Sequence, residues 1–431
     1  MKRNFSPNVT IEQLMKKKYN NITDLYVSGR IRFCNNKVCL FDEEYEIELK
    51  GIKKEDFVEY SFVGLKGNWD SNYSCLENCV VLFYKNLEMS VHNSNIPEAQ
   101  FILQTKKMTA VKRRAIMINY IQKYMNSKDF LLVQTPILRI QPEVSNIKQL
   151  ETTTQNNVYF LRTDPEEYLK RYLTAGFEAV YEVSTNFRPE KPDDTHLQEF
   201  TSLECYRRFW SLNEAIHFCY DLIKYIIKEI NGETCITFNE YSIDFSLPIN
   251  TVDFSSIMQQ HAGVNLDEYK NTEDLVQYVI GKGWWSGTGG KADKFKRTWI
   301  EWIFDNKILP NIKKPTFITG FPIELGISAK GIEKGESLRA ELYLPGGFEL
   351  AHLYENIIDS NELIERYSDR LKYRIANKIS EVNLDEGLIE STKLGMPPLA
   401  GVAIGLDRLL QVINEDEQIG EGLLFPREGF E

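Results

Sequence analysis

The 431-residue sequence is poor in features that would mark a metalloprotein, a membrane protein or a disulfide scaffold. Its seven cysteines (Cys34, Cys39, Cys75, Cys79, Cys205, Cys219, Cys235) show neither Cys-x-x-Cys pairing nor a partnering histidine cluster. That pattern argues against a zinc site, and the cysteines read as reduced thiols. No apolar run approaches the roughly 20 residues a membrane span needs. The opening residues, Met-Lys-Arg-Asn-Phe-Ser-Pro-Asn, lead into no apolar leader segment, so a cytoplasmic chain with no membrane partner is expected. Positive charge is in deficit, with 51 Lys and Arg against 62 Asp and Glu, a formal net charge of −11. Bulk binding to a polyanion is disfavoured, although a local basic groove stays open. The sequence has no internal repeat.

What is present is enough chain for more than one core. A short basic helix is expected over residues 11–19. Strand patterns follow over 24–33, 37–41, 44–49, 57–65 and 75–84, with turn residues between them. Five short strands predict a small barrel of the oligonucleotide-binding type. Phe33, Phe41 and Tyr45 are candidate stacking platforms for nucleic-acid bases, with core packing as the competing role for each. Residues 93–100, containing Pro97, read as a linker. The domain boundaries are set at 1–98 and 105–431.

Beyond the linker, helices alternate with strands. Residues 110–127 place Val111, Ala115, Ile118, Ile121 and Met125 at helical spacing. A strand over 130–134 runs into Pro136, which marks a sheet edge or a strand end and a dimer contact. A helix is expected over 211–230, and 234–307 reads as an insertion. Within the insertion, residues 281–291 superficially resemble a phosphate loop. No apolar strand leads into them, and Ala292 stands where Ser or Thr belongs, so a plain loop is expected. The aromatic run 295–304, with Trp299 and Trp302, predicts an amphipathic helix that fills core.

The most informative segment is 187–206, which sets an arginine, a histidine, an aromatic and several carboxylates on one predicted β-hairpin. Alternation puts Phe200, Ser202, Glu204 and Tyr206 on one face of the return strand. It puts Glu182, Ser184, Asn186 and Arg188 on one face of the incoming strand. A flat ligand can stack there beside a fixed positive charge, which suits ATP.

Three segments together resemble the signature motifs of class II aminoacyl-tRNA synthetases, in the subgroup of the lysyl, aspartyl and asparaginyl enzymes. They are residues 113–136, the hairpin, and the run Gly395-Met-Pro-Pro-Leu-Ala-Gly-Val-Ala-Ile-Gly-Leu-Asp-Arg408. Residues 161–171, 314–322 and the closing Leu-Leu-Phe-Pro-Arg427 are similar to lysyl enzymes. Residues 143–148, 349–351 and 388–397 look closer to paralogues of lysyl-tRNA synthetase that modify elongation factor P. Those paralogues lack the N-terminal barrel predicted here.

The resemblance implies an α+β fold, a class II antiparallel sheet flanked by helices and preceded by the small barrel, working as a homodimer. It implies ATP and Mg2+ as cofactors. Arg188 would hold the α-phosphate and the substrate carboxylate, and Arg408, following Gly405, would lie near the adenine and γ-phosphate. His196 would approach the outer phosphates, Phe200 would stack on adenine, and the Glu190 region would read its amino edge. Glu349 resembles a magnesium carboxylate. Glu341 is the candidate for a second, one residue farther from Glu349 than the family pattern has, so that either a face flip or a longer turn must absorb the extra residue.

For the amino acid, the resemblance assigns the α-ammonium to Glu166, with Glu204 and Tyr206 lining the pocket. Ala351, His352, Tyr354 and Asn356 complete it, and here the sequence departs from lysyl enzymes. Asn356 replaces a Glu that would pair with a lysine ammonium, and Ala351 replaces a Gly and would crowd the substrate backbone. Glu355 is the neighbouring carboxylate that a local shift would have to recruit. A neutral polar or non-standard amino acid is the better fit on these grounds. The implied activity is amino-acid activation by ATP with transfer to tRNA. A protein or small-molecule amine as acceptor, and a catalytically silent sensor of amino acid or tRNA, are the alternatives.

Overall fold

The computed structural model describes residues 5–16, 19–42, 44–92, 97–103, 105–143, 149–285, 295–332, 335–377, 385–416, 418–420, 422–423 and 425. The chain divides into two compact units, Met1–Arg114 with Glu421–Pro426, and Ala115–Gly420 with Arg427–Glu431.

The first unit is a closed five-stranded barrel. Its strands β1 (Ile22–Cys34), β2 (Lys37–Asp42), β3 (Tyr45–Leu49), β4 (Phe62–Asp70) and β5 (Cys75–Lys85) close in the order β1-β2-β3-β5-β4. Alternation along β1 sends Leu25, Val27 and Ile31 inward, where they meet Leu40, Val63 and Leu65. The expected fourth strand over 57–65 begins later than the pattern suggests. Ser61 N bonds back to Val58 O at 3.1 Å, and Tyr60 sits at φ +66°, a left-handed turn that strand periodicity cannot register. Phe41 is buried, while Phe33 and Tyr45 are half-buried against the barrel core. The first helix is shorter than expected, Ile11–Met15, capped by a reciprocal box between Thr10 and Gln13.

The expected linker 93–100 overlaps a helix that begins at Pro97 and runs to Leu103. Proline is at home in a first helical turn, where its missing N–H costs nothing. The following helix, Thr105–Ser127, is longer than predicted. Its buried stripe in the second unit is Met117, Ile121 and Met125, and Ala115 faces solvent.

The second unit is built on an eight-stranded sheet. Its order is Thr251–Asp253, Thr316–Thr319, Arg339–Leu344, Phe348–Glu355, Leu399–Gly405, Glu199–Arg208, Ala179–Phe187 and Leu131–Leu132. All pairs are antiparallel except the two edge pairs. The predicted strand at 130–134 survives only as Leu131–Leu132, at the sheet's edge as Pro136 indicated. The helix Leu212–Asn231 covers one face with Ala215, Leu222, Ile223 and Ile226. Its N-terminal Leu212 N–H is capped by Glu355 Oε1 at 2.9 Å.

The expected insertion 234–307 is not separate from the sheet, because Thr251–Asp253 pairs with Thr316–Thr319 as an edge strand. Trp299, Ile300 and Ile303 of helix Lys296–Ile303 join a second core with Phe254 and Phe304, as the amphipathic pattern implied. The glycine-rich segment lies largely outside the described residues, which stop at Trp285 and resume at Phe295. Among the described residues, no helix is long and apolar enough to cross a membrane.

Candidate active site

Three adjacent central strands, Phe348–Glu355, Leu399–Gly405 and Glu199–Arg208, carry most of the site. On the middle strand, Val402 and Ile404 point into the main core, while Gly401, Ala403 and Gly405 alternate with them toward the other face. Register sets Tyr206 and Tyr354 opposite Gly401, Glu204 and His352 opposite Ala403, and Ser202 opposite Gly405. Small residues therefore run between two rows of large polar ones, and a cavity of about 370 Å³ opens over them. A Cβ at Gly401 would stand 2.2 Å from the Tyr206 ring, so the tyrosine occupies its place only because position 401 is glycine.

The hairpin behaves as its alternation predicts. Glu182 pairs with Glu204, Ser184 with Ser202, and Asn186 with Phe200. Asn186 Nδ2 donates to Ser184 and Ser202 Oγ at 3.0 and 2.8 Å, which locks the two strands under the cavity. Arg188 places its guanidinium 5.0 Å from the centre of the Phe200 ring, and both line the cavity with Glu190 and His196. Arg188 Nε is buried without a hydrogen-bond acceptor among the described residues.

Arg408 enters from the first turn of the helix Leu406–Asn414, which Gly405 precedes. Its Nε donates to Thr195 O at 3.2 Å and its Nη1 to Glu349 O at 2.9 Å. Nη2 lies 2.9 Å from His196 Nε2. Asp407 beside it accepts from Thr201 N at 2.6 Å, a second clamp between helix and hairpin. The structure thus brings Arg188 and Arg408 to one cavity.

The cavity is also acidic. Glu166, Glu204 and Asp164 line it, and Asp164 is a residue the sequence reasoning missed. The Asp-Pro-Glu run ahead of the helix Glu166–Thr174 was the available signal, since Asp164 Oδ1 accepts from Glu166 N at 3.1 Å. Burial opposes ionisation of Glu166, yet the charge and hydrogen bond of buried Lys170 prevail and hold its carboxyl below the usual range. Glu204 and Asp164 go the other way. Burial, with repulsion from the neighbouring carboxylates, pushes Glu204 well up, and burial with the Glu166 charge raises Asp164.

Behind Asp164 lies a buried network. Arg139 pairs with Glu143 at 3.0 Å, with Asp385 at 3.1 Å and with Glu167. Glu143 in turn accepts from Thr163 N at 3.2 Å and so fixes the backbone next to Asp164.

Two sequence-predicted residues fall outside the cavity wall, Glu341 and Asn356. Asn356 is 2 % exposed, its backbone N–H bonds Leu399 O at 3.0 Å, and neither side-chain amide atom has a partner among the described residues. Its amide is thus not among the cavity-lining groups, whose acidic members include Asp164, Glu166 and Glu204. Glu355 is spent on capping Leu212 and offers no substitute. Ala351 contributes to the wall and also packs in the main core with Leu353. His352 and Tyr354 line the cavity as expected.

Glu341 lies beneath the wall. A β-bulge breaks the pairing of these strands, because Leu342 pairs with Ala351 but Tyr343 with Glu349, leaving Leu350 unmatched. The bulge turns Glu349 to the face of His352 and Glu341, and the ligand atoms of all three lie within 4.8 Å of one another. Burial would push the Glu341 carboxyl up. The Arg339 charge, with His352 and Tyr343, outweighs it and holds the group well below the carboxylate range.

Residues 99–429 match the family model described as tRNA synthetases class II (D, K and N). The lysine–tRNA ligase of Buchnera aphidicola subsp. Schizaphis graminum is 30% identical over 321 residues, covering 73% of this chain and 63% of that protein. The lysine–tRNA ligase of Aquifex aeolicus is 31% identical over 340 residues, covering 77% and 54%. That of Clostridium tetani is 29% identical over 319 residues, covering 73% and 63%. The chain thus spans less than two thirds of the length of these relatives. With its family match and a hairpin arginine and a helix arginine set in one cavity, the chain belongs to the class II tRNA synthetases of the D, K and N group.

Proposed function

We propose that this chain is an ATP-dependent ligase that converts a lysine-type amino acid to its adenylate and passes it to tRNA. The observation that carries the reading is one cavity lined by Arg188 and Arg408 together with Asp164, Glu166 and Glu204. In adenylate formation a substrate carboxylate oxygen bonds the α-phosphorus of ATP as the bond to pyrophosphate breaks. The protein's task is positioning and charge rather than supplying a nucleophile. Arg188 stacks beside Phe200, where an adenine ring and α-phosphate suit the pair, and Arg408 faces the outer phosphates with His196.

A cationic amino acid supports the acidic lining, since its ammonium groups supply the positive charge that lets Asp164 and Glu204 ionise. The lysine–tRNA ligase names of the relatives favour the same substrate. Glu349 and Glu341 are oxygen donors that fit a divalent cation, Mg2+ in the family, which when bound offsets phosphate charge. On this reading the enzyme is a cytoplasmic homodimer, its residues 1–98 serve tRNA, and residues 105–431 carry the chemistry. Exposed Leu131, Leu132, Ile137, Leu138 and Ile140 support a second copy covering that edge.

Exchange of labelled pyrophosphate into ATP tests the reading, over a panel of lysine, ornithine, β-amino acids and asparagine. Lysine-type exchange followed by charging of tRNA is expected. Exchange without tRNA charging would move the acceptor to a protein or small-molecule amine. No exchange with any amino acid would leave a silent relative that senses its ligand.

A further inference from the structure

Glu166, the carboxylate that the family resemblance assigns to the substrate α-ammonium, is already paired, because buried Lys170 one helical turn on donates to its Oε1. Asp164 lines the same cavity with no cation paired to it among the described residues. Its Oδ1 accepts from Glu166 N at 3.1 Å and its Oδ2 from Thr163 Oγ1 at 3.2 Å. A carboxylate has about four acceptor sites, so both oxygens keep room for a further donor. The backbone beside it is anchored, since Thr163 N donates to Glu143 at 3.2 Å and Arg162 O accepts from Phe187 N at 3.0 Å. The chain therefore leaves the hairpin next to Arg188 and carries Asp164 into the cavity two positions later.

Place along the cavity decides what Asp164 can meet. Arg188 and Phe200 mark one end, with the guanidinium 5.0 Å from the ring centre. Glu204 stands on the same strand face as Phe200, four residues on, or ~13 Å at ~3.3 Å per residue. Burial and the Glu166 charge raise the Asp164 carboxyl, and Arg188 is the cation that opposes them most. In an α-amino acid the ammonium sits on the carbon that bears the carboxylate, so an ammonium at Asp164 turns that carboxylate toward Arg188. We propose that Asp164, not Glu166, is the counter-ion of the substrate's α-ammonium, and that Glu204 restricts the substrate to α-amino acids with a cationic side chain. The assignment rests on the adenylation reading for the place of the carboxylate at Arg188. Glu166 and Lys170 are then a neutral pair that holds the wall.

The test is calorimetric titration of the full chain with L-lysine and with ε-aminocaproate, without ATP or tRNA. The second ligand keeps the carboxylate and the terminal ammonium but lacks the α-ammonium. Asp164→Asn preserves the size of the side chain, and its amide oxygen still accepts from Glu166 N. The wild type should bind lysine about 10–100-fold more tightly than ε-aminocaproate, the scale of a hydrogen bond to a charged group. Asp164→Asn should weaken lysine binding by about that factor and ε-aminocaproate binding by less than about twofold, while Glu204→Gln should weaken both. Equal losses for the two ligands in Asp164→Asn, or a lysine-specific loss that appears in Glu166→Gln instead, would overturn the assignment alone. Failure of the wild type to bind lysine would overturn it together with the lysine-type reading.

Discussion

Arg408 Nη2 lies 2.9 Å from His196 Nε2, which joins the helix after the glycine-spaced strand to the turn of the hairpin. A guanidinium has no acceptor, so arginine donates and Nε2 carries no proton. The imidazole proton then sits on Nδ1, 2.9 Å from Asp193 Oδ1. The chain Asp193–His196–Arg408 fixes both the histidine tautomer and the direction of the arginine. His196→Ala should therefore lower pyrophosphate exchange about tenfold by freeing Arg408, and should add little in an Arg408→Ala background. A double-mutant cycle measures this, and additive losses would show that the two residues act separately.

Arg188 is held by stacking on Phe200 and has a buried Nε without an acceptor among the described residues. Arg188→Ala should cost about 10²–10³-fold in exchange, the scale of removing one preorganised donor to a developing charge. The circular dichroism spectrum should be unchanged. Exchange at the wild-type rate would remove Arg188 from the nucleotide site.

Asn356 is buried with an unpaired side-chain amide and lies off the cavity wall. Asn356→Leu should stabilise the protein by about 1 kcal/mol, because a buried group without a partner is replaced by an apolar one. Asn356→Glu should destabilise it by about 3 kcal/mol and leave lysine-dependent exchange no higher than wild type. Denaturant midpoints and exchange rates on both variants decide the matter. A gain of lysine use in Asn356→Glu would return this position to the pocket.

Glu143 should make stability fall with rising pH. Burial first, and the charge of Asp164 second, push its carboxyl from 4.5 up to about 8. The folded value lies above the unfolded one, so its contribution is complete below about pH 4.5 and is lost as pH rises through about 8. Glu143→Gln cannot ionise and should show a flatter profile. Urea midpoints at pH 5.5 and 8.5 should differ more in the wild type than in the variant, and parallel profiles would contradict the shift.

Much of this site was legible in the sequence because it lies on regular strands. Period two placed Phe200, Ser202, Glu204 and Tyr206 on one face, and register then set them beside Gly401, Ala403 and Gly405. Departures from that period were not legible. The bulge at Leu350 decides the face of Glu349, and the left-handed turn at Tyr60 delays β4. Asp164 escaped notice because its place in the cavity depends on Arg188 and Glu204 of the hairpin, which lie far from it in the sequence.

The sequence by itself determined the family, the barrel and the identity of the paired arginines, since strand alternation and motif spacing are local and survive without coordinates. Tertiary structure alone decided which side chains share a volume. It put Asn356 outside the cavity and Asp164 inside it, and gathered Glu341, Glu349 and His352 at one point. The physical reason is that charge interactions and ligand geometry depend on distances of a few ångströms between strands. A single unmatched residue can reverse those distances while the hydrophobic pattern stays the same.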